Sequence, residues 1–306
     1  MLLCSRGSVS ERDWLDGLRA ALPGHVVAIW RPGLAADFDV ALVWDPPQRL
    51  FDEQHALKMI FNLGAGVEKL LALRLPAGIP VLRLEDAGMA LQMAEYACHA
   101  VIGFFREFGV YRCQQARALW RPHAARDRGD FPVGIMGLGA LGARVAAAVR
   151  QFGFPMTGWS RSRHVLEGVR TYAGPGELDE FLAATRVLVV LLPLTAATRG
   201  ILDGERLRHL RGGGCLVNLA RGGLVVEDDL RDALDTGQLG AAVLDVVATE
   251  PLPADHWMWR HPGVTLTPHI SAQTLCADAV VQVVHAVEAL ERGAPLPGQI
   301  DRLRGY

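Results

Sequence analysis

Short apolar runs alternate with amphipathic segments along the chain, and this alternation predicts an α/β protein with two doubly wound parallel sheets. Several runs are apolar at every position, as in Val187–Leu192, which is typical of parallel strands covered by helices on both faces. The chain has 306 residues, enough for about two domains. A polar segment at 121–130 separates two blocks of alternation, so each block is predicted to form one sheet.

The first block contains strand-like runs and helix-like segments in alternation. The predicted strands are Val26–Trp30, Val40–Trp44, Met59–Leu63 and Val81–Leu84, and the predicted helices are Glu11–Leu22 and Val67–Leu75. A longer apolar-periodic stretch from Leu91 to about Gln115 predicts a helix that connects the two domains.

The second block repeats the alternation more strongly. Its predicted strands are Val133–Met136, Met156–Trp159, Val187–Leu192, Cys215–Leu219, Ala241–Val246 and Val264–Thr267, and its helices are Ala143–Phe152, Leu178–Ala184 and Glu227–Thr236. The final helix, Ser271 to about Arg292, has no strand after it, so we expect it to return to the first domain. We therefore predict one discontinuous domain of residues 1–93 and 272–306, a second of residues 94–271, and an active site in the cleft between them.

The charge balance excludes a nucleic-acid or anionic-membrane partner. Lys plus Arg is 31 and Asp plus Glu is 33, which gives a net charge of −2 and no basic field. Small molecules or further copies of the chain are the expected partners. The five cysteines are far apart and show no C-x-x-C spacing, which indicates reduced thiols in a cytoplasmic protein and no metal site. No apolar run is long enough for a signal peptide or a membrane span.

A glycine-rich turn follows the predicted strand Val133–Met136 and precedes a predicted helix. It reads Gly137, Leu138, Gly139, Ala140, Leu141 and Gly142, the G-x-G-x-x-G spacing. Its first glycine permits the tight turn, its second lets a pyrophosphate approach the backbone, and its third lets helix pack on strand. The turn therefore predicts a dinucleotide site; the alternative is a tight turn without a ligand.

The end of the next predicted strand indicates which dinucleotide is bound. An NAD enzyme places a carboxylate there for the ribose 2′-hydroxyl, whereas this chain has Ser160, Arg161 and Arg163. Arginines and a hydroxyl are suited to a 2′-phosphate, so NADP(H) is favoured over NAD(H). The alternative is an ordinary solvated basic loop.

Four later motifs resemble the D-isomer-specific 2-hydroxyacid dehydrogenases. They are Asn218–Gly223, Leu244–Val246, Glu250–Pro253 and Thr267–Ser271, and Phe61–Val67 is similar to that family's loop for the substrate carboxylate. Further segments resemble the glyoxylate/hydroxypyruvate reductase A branch: Leu42–Trp44, Arg83–Asp86, Gln92–Tyr96, Trp159–Arg161, Asp301–Arg302 and Arg304–Tyr306. The resemblance implies a Rossmann nucleotide domain and a flavodoxin-like substrate domain.

Reduction of a 2-oxo acid needs a hydride donor, a proton donor and a cation for the carboxylate. His269 and Glu250 are 19 residues apart and each follows a strand-like run, so they can meet at the carboxyl edge of a parallel sheet. A carboxylate-held histidine suits the proton donor, and Arg221 suits the substrate carboxylate. The alternatives are a structural histidine after proline and a glutamate that only starts a turn.

The remaining candidates bind the substrate or the cofactor. The amides of Gly64, Ala65 and Gly66, with neighbouring Leu63, form a candidate carboxylate cradle ahead of a helix, and Trp44 either caps that pocket or closes a domain edge. By resemblance, Pro193 to Thr198 and Ala220 lie on the cofactor side, and Asp245 contacts the nicotinamide carboxamide unless it is a helix cap.

The resemblance implies NADPH-dependent reduction of glyoxylate to glycolate and of hydroxypyruvate to D-glycerate. One alternative is a larger 2-oxo acid such as phenylpyruvate, which Trp44 disfavours because it fills space. Another is a non-catalytic NADP(H)-sensing protein, for which a proton donor is unnecessary. Family members pair through the nucleotide domain, so a homodimer is expected through Phe104–Trp120, which is otherwise a solvent-facing amphipathic helix.

Overall fold

The computed structural model describes residues 1–6, 10–34 and 36–305, and in it the chain divides into two compact units. The first unit is Met1–Met89 with Gln273–Tyr306, and the second is Ala90–Ala272. Tyr306, the last residue of the C-terminal motif, lies outside the described residues. None of the described helices is long and apolar enough to cross a membrane.

The first unit contains a five-stranded parallel sheet in the order β2-β1-β3-β4-β5. Its strands are β1 (Leu2–Ser5), β2 (Ala28–Ile29), β3 (Val40–Trp44), β4 (Met59–Asn62) and β5 (Val81–Arg83), and its first helices are α1 (Glu11–Ala21), α2 (Gln48–Glu53) and α3 (Glu68–Leu71). The order 2-1-3-4-5 is that of flavodoxin-like doubly wound sheets.

The second unit contains a seven-stranded parallel sheet in the order β8-β7-β6-β9-β10-β11-β12. The helices are α4 (Met89–Phe105), α5 (Phe108–Ala116), α6 (Ala140–Arg150), α7 (Leu178–Ala183), α8 (Gly204–His209) and α9 (Glu227–Asp235). The strands are β6 (Val133–Met136), β7 (Met156–Ser160), β8 (Val169–Ala173), β9 (Val187–Val190), β10 (Gly214–Asn218), β11 (Leu239–Leu244) and β12 (Val264–Leu266). Read from β8, this is the Rossmann order 3-2-1-4-5-6 with one further strand. The predicted α/β class with two doubly wound parallel sheets is confirmed.

The strands of the larger sheet can be apolar at every position because a hydrophobic core covers each face of the sheet. In β9, Leu188 and Val190 belong to the core on one face, whereas Val187 and Val189 belong to the core on the other. The strand order reverses between β6 and β9, and doubly wound sheets bind their ligands at the carboxyl ends of the strands beside such a reversal.

The predicted connecting helix is not continuous. It consists of α4 and α5, because Glu107 adopts a left-handed conformation with φ of 56° between them. The Glu107 carboxylate binds Arg126 at 2.5 Å and His123 at 3.2 Å, so the polar segment after α5 folds back on the break. The prediction of one helix from Leu91 to Gln115 is therefore wrong at this point.

Four short elements escape the sequence prediction, namely β1, α2, β8 and α8. β8 is mostly part-exposed and shows no continuous apolar run. The last helix of the chain, α10 (Cys276–Glu291), returns to the first unit as expected and packs on α1 where Gly17 faces Val280. It begins five residues later than predicted, because residues 271–275 have bend and irregular backbone rather than a helical turn.

Candidate active site

Three side chains predicted to do the chemistry follow three adjacent strands of the larger sheet. Arg221 follows β10, Glu250 follows β11 and His269 follows β12, and these strands are neighbours in the sheet. The carboxyl ends of parallel strands lie at the same edge, so the fold brings together residues that are up to 48 positions apart.

His269 and Glu250 form a hydrogen-bonded pair. The His269 Nδ1 atom lies 2.8 Å from the Glu250 Oε2 atom, and the two side chains are 43% and 40% exposed. An ionised carboxylate can only accept hydrogen bonds, so Nδ1 carries the proton of this bond. The other ring nitrogen, Nε2, therefore takes no part in this bond.

Glu250 is held in its charged form. Burial raises the pKa of its carboxyl, but the hydrogen bond and charge of His269, the Val247 backbone N–H at 3.2 Å and the charge of Arg221 outweigh burial and lower that pKa below its usual value. Because Arg221 contributes to this shift, all three predicted catalytic side chains belong to one electrostatic cluster.

A buried asparagine shapes the segment that carries Arg221. Asn218, at the end of β10, is 1% exposed; its amide nitrogen donates to the Arg221 carbonyl at 3.0 Å and its amide oxygen accepts from the Ala220 N–H at 3.1 Å. The Arg221 guanidinium in turn donates to the Ala220 carbonyl at 2.6 Å. Ala220 thus lies in a tightly bonded turn between β10 and the arginine.

Asp245, at the end of β11, is 1% exposed and binds the segment that carries the histidine. Its carboxylate accepts hydrogen bonds from the Thr267 hydroxyl at 2.5 Å and from the N–H groups of Ile270 and Ser271 at 2.8 Å each. It caps this loop and no helix. A carboxylate has about four acceptor positions, so these three bonds leave room for one further donor.

The glycine turn between β6 and α6 has two packed glycines and one open glycine. A Cβ atom on Gly137, whose φ is 114°, would lie 2.7 Å from the Leu191 carbonyl oxygen, and one on Gly142 would lie 1.8 Å from the Gly137 carbonyl oxygen. A Cβ on Gly139 would meet nothing within 4 Å. Gly139 and Ala140 are exposed and Leu141 is half-buried, so the open side of the turn fits a ligand at the start of α6.

The turn after β7 is a structured basic loop. The Ser160 hydroxyl donates to the Ser162 carbonyl at 2.8 Å, and Arg163 donates to the Thr171 carbonyl at 2.9 Å. Arg163 also pairs with Glu177. The Ala173 N–H and then Arg163 lower the pKa of the Glu177 carboxyl.

Arg161 is exposed on the same turn. The segment Pro193–Thr198 follows β9, which is the neighbour of β6 across the reversal of strand order. The Thr198 hydroxyl donates to the Pro193 carbonyl at 2.7 Å and accepts from the Thr195 N–H at 2.8 Å, so it shapes this loop.

In the first unit, the predicted carboxylate cradle follows β4. Asn62, which is 2% exposed, donates to the Gly64 and Gly66 carbonyls at 2.8 and 2.9 Å, and Arg83 donates to the Ala65 carbonyl at 3.2 Å. In a planar trans peptide the N–H points away from the preceding C=O. The N–H groups of Ala65, Gly66 and Val67 therefore point away from these anchors, which makes them suitable donors for an anion.

Trp44, at the end of β3, lies directly on this loop. A Cβ atom on Gly64 would be 2.1 Å from the Trp44 ring, so only glycine fits beneath the indole. Leu63 is 3% exposed and its N–H donates to the Val43 carbonyl at 2.8 Å, so Leu63 fixes the start of the loop.

Sequence reasoning missed residues that support the site. Asn62 and Asn218 each end an apolar strand and bond the next loop; a lone amide at the end of a buried strand was the available signal. Thr267 and Tyr96 belong to quoted motifs but received no role, although the Tyr96 and Thr267 hydroxyl oxygens are 2.6 Å apart. Within the described part of the chain, no three His, Cys, Asp or Glu side chains cluster as metal ligands do.

Residues 98–271 match the family model described as D-isomer specific 2-hydroxyacid dehydrogenase, NAD binding domain. The chain is 48% identical over 299 residues to glyoxylate/hydroxypyruvate reductase A of Citrobacter koseri, an alignment that covers 96% of each protein. It is 47% identical over the same length, again 96% of each protein, to the protein of that name in Salmonella newport.

Two solved structures superpose on the chain with a TM-score of 0.93. One is a D-isomer specific 2-hydroxyacid dehydrogenase from Xanthobacter autotrophicus in complex with NADPH and MES, with 37% identity, covering 100% of this chain and 99% of that chain. The other is an NADPH-dependent glyoxylate/hydroxypyruvate reductase from Sinorhizobium meliloti in complex with NADP and sulfate, with 34% identity and the same coverage.

The site geometry and these comparisons define an NAD(P)-dependent oxidoreductase. The chain belongs to the D-isomer specific 2-hydroxyacid dehydrogenase family, and over nearly its whole length it is similar to the glyoxylate/hydroxypyruvate reductase A type of that family. The resemblance inferred from the sequence motifs is confirmed.

Proposed function

We propose that the protein reduces small 2-oxo acids with NADPH, and that glyoxylate and hydroxypyruvate are its substrates. The observation that carries this proposal is the His269–Glu250 pair at 2.8 Å, which shares one electrostatic cluster with Arg221. This cluster lies at the carboxyl edge of the same sheet as the glycine turn. The relatives named as glyoxylate/hydroxypyruvate reductases support the choice of substrate.

The chain supplies the proton and the charges for this reduction. Bound NADPH would supply a hydride to the carbonyl carbon. His269 donates the Nε2 proton to the carbonyl oxygen as negative charge develops there, so that one hydride and one proton convert the ketone or aldehyde to the alcohol. Glu250 stays ionised and stabilises the imidazolium form of His269 before the transfer. Arg221 binds the substrate carboxylate and polarises the carbonyl.

The residues of the second unit fit a dinucleotide with a 2′-phosphate. The open side of Gly139 leaves room for a pyrophosphate at the start of α6, whereas Gly137 and Gly142 are needed for the turn itself. Arg161 would bind the 2′-phosphate. The Ser160 hydroxyl, which donates to the Ser162 carbonyl, and Arg163, which bonds Thr171 and Glu177, would brace the turn that carries it. The NADPH and NADP complexes of the structural relatives support this preference.

Pro193, Thr198, Ala220 and Asp245 would line the nicotinamide side of the same edge, since all four follow strands of the larger sheet. We accordingly assign the second unit as the dinucleotide-binding domain, in keeping with the family model over residues 98–271, and the first unit as the substrate domain.

The glycine loop of the first unit would bind the substrate carboxylate. Its N–H groups at Ala65, Gly66 and Val67 are turned away from Asn62 and Arg83 and can donate to an anion. The Trp44 ring over Gly64 fills space beside them, which favours a short substrate over phenylpyruvate.

We further propose a cytoplasmic homodimer. All five cysteines are free thiols, which suits a reducing compartment. The segment after α4 exposes Phe108, Val110, Leu119 and Trp120, and Trp120 is 99% exposed. A cluster of exposed large apolar side chains is typical of a surface that another copy of the chain covers.

Initial rates of NADPH and NADH oxidation test the function with glyoxylate, hydroxypyruvate, pyruvate and phenylpyruvate. We expect fast NADPH oxidation with the first two acids, and His269→Ala should lower kcat by about 10²- to 10⁴-fold. His209→Ala, an exposed histidine at the end of α8, is the matched control. Arg161→Ala should weaken NADPH binding by about 10- to 100-fold and leave NADH binding unchanged.

The other outcomes separate the alternatives. A rate that is highest with phenylpyruvate would favour a larger 2-oxo acid. Tight NADPH binding without turnover of any acid would favour a sensor. A wild-type rate in His269→Ala would exclude the assigned proton donor.

A further inference from the structure

The loop that carries His269 has a backbone that must be held from outside. His269 has a φ of 55°, a left-handed backbone conformation that residues other than glycine rarely adopt. Such a conformation persists only when surrounding contacts impose it. For His269 these contacts come from Asp245 and Thr267.

Asp245 provides most of these contacts. Its carbonyl oxygen accepts the His269 N–H at 2.9 Å, and its carboxylate accepts the N–H groups of Ile270 and Ser271 at 2.8 Å. Three consecutive backbone N–H groups are therefore bonded to one residue, whose side chain is only 1% exposed.

The hydrogen bonds of Thr267 have a defined direction. The Thr267 hydroxyl lies 2.5 Å from Asp245 Oδ1, and a carboxylate has no proton to give, so Thr267 donates to it. Thr267 has one hydroxyl proton, so in its 2.6 Å contact with the Tyr96 hydroxyl the phenol is the donor. Burial, together with the charge of Asp245, raises the pKa of Tyr96 although the Thr267 hydrogen bond lowers it, so the phenol keeps its proton at neutral pH.

From this chain of donors we infer that Tyr96 is a positioning residue for the proton donor, acting through Thr267 and Asp245 to fix the backbone of the His269 loop. The phenol lies 171 positions from Thr267 in sequence and comes from the middle of α4. Ala97 and Val101 of that helix are fully buried in the core, so α4 is a rigid anchor. This inference rests on the proposed function for its catalytic consequence, but not for its structural part.

The test removes one oxygen atom at a time. Tyr96→Phe deletes the first donor, and Thr267→Val deletes the middle of the chain, whereas Thr267→Ser keeps the hydroxyl. Tyr172→Phe is the matched control, because the Tyr172 hydroxyl is buried with no hydrogen-bond partner in the described part of the chain. The measurements are kcat and KM for glyoxylate, the Kd of NADPH, and hydrogen exchange of the amides at 269–271.

We expect Tyr96→Phe and Thr267→Val to lower kcat by about 10- to 100-fold, since a small misplacement of a reacting group has effects of this size. The Kd of NADPH should change less than about twofold, which is a small change in binding free energy. The amides at 269–271 should exchange faster in both variants. Thr267→Ser should restore kcat and slow exchange, and Tyr172→Phe should match the wild type.

Two results would overturn the inference. One is a Tyr96→Phe variant with wild-type kcat and wild-type exchange at 269–271. The other is a loss of kcat that accompanies faster exchange throughout the second unit, which would show a general structural role. If the wild type reduces none of the 2-oxo acids, the proposed function fails, and the exchange data alone decide whether Tyr96 holds the loop.

Discussion

At the scale of single residues, the His269–Glu250 pair can be considered separately for its contribution to stability and for its contribution to catalysis. Both side chains keep about two-fifths of their surface in solvent, and ion pairs exposed to this degree contribute little to stability. In the proposed mechanism the value of the bond therefore lies in orientation, because it would fix which ring nitrogen carries the proton to be transferred. A variant that breaks it should be well folded and slow.

Glu250→Gln is expected to lower kcat by about 10²- to 10⁴-fold at neutral pH, because the amide cannot stabilise the imidazolium form of His269. The pKa of Glu250 in the folded protein is depressed below 4.5. Its carboxylate is therefore ionised and stabilises the imidazolium above pH 4.5, and this stabilisation is lost as pH falls through the depressed pKa. The fall in rate that protonation of Glu250 causes in the wild type should therefore lie below pH 4.5, and it should be missing in the variant. Rates measured across pH check this.

Glu180→Gln is the matched control, because Glu180 is an exposed carboxylate paired with Arg170 at 2.8 Å on α7. A Glu250→Gln enzyme with wild-type kcat would contradict the assigned role, and so would an unaltered acid limb.

At the scale of elements, two of the candidate ligand loops are fixed by the last residue of the strand before them. Asn62 ends β4 and Asn218 ends β10, and both place a buried amide where the backbone turns away from the sheet. The β6 turn uses glycine instead, because helix and strand approach too closely there for any side chain. The open space at Gly139 is the exception, and it allows binding and folding to be tested apart.

Gly139→Ala should raise the Kd of NADPH by about tenfold or more while leaving the unfolding midpoint unchanged, because its φ of −67° suits alanine and its Cβ would meet no protein atom. Gly142→Ala should destabilise the fold, because its Cβ would overlap the Gly137 carbonyl. Cofactor titration and thermal unfolding of both variants measure this contrast. Equal NADPH affinity in Gly139→Ala and wild type would show that no ligand approaches the turn.

The predictability of elements follows from the strength of their local signals. The run Val187–Leu192 predicts a strand because it is apolar throughout, and β9 within it is buried on both faces. β8 has no such run, because its side chains are mostly part-exposed. α8 has one local signal, Asp203, which caps the helix by accepting from the Arg206 N–H at 2.9 Å. The break between α4 and α5 at Glu107 has no local sequence signal, because it depends on contacts with Arg126 and His123 from a later segment.

At the scale of the whole molecule, the sequence predicts which residues meet at one edge of the sheet, including the His269–Glu250 pair, but not the hydrogen bonds that support them from other elements. Arg221, Glu250 and His269 could be placed together because each follows a strand of one parallel sheet. The contact between Tyr96 and Thr267 could not be predicted in this way, because it joins a helix to a loop 171 positions later. Such tertiary hydrogen bonds depend on packing distances that a single sequence does not specify.

The last property of the whole molecule to be tested is its association. Trp120 is almost fully exposed beside Leu119, which is 53% exposed, and tryptophan is enriched among the residues that contribute most to binding at interfaces. Trp120→Ala should raise the dimer Kd by about 30-fold or more, since interface residues of this kind contribute about 2 kcal/mol or more. Leu303→Ala, at a 99% exposed site of the first unit, is the control. Sedimentation equilibrium over a concentration series measures both, and a monomeric wild type would refute the dimer.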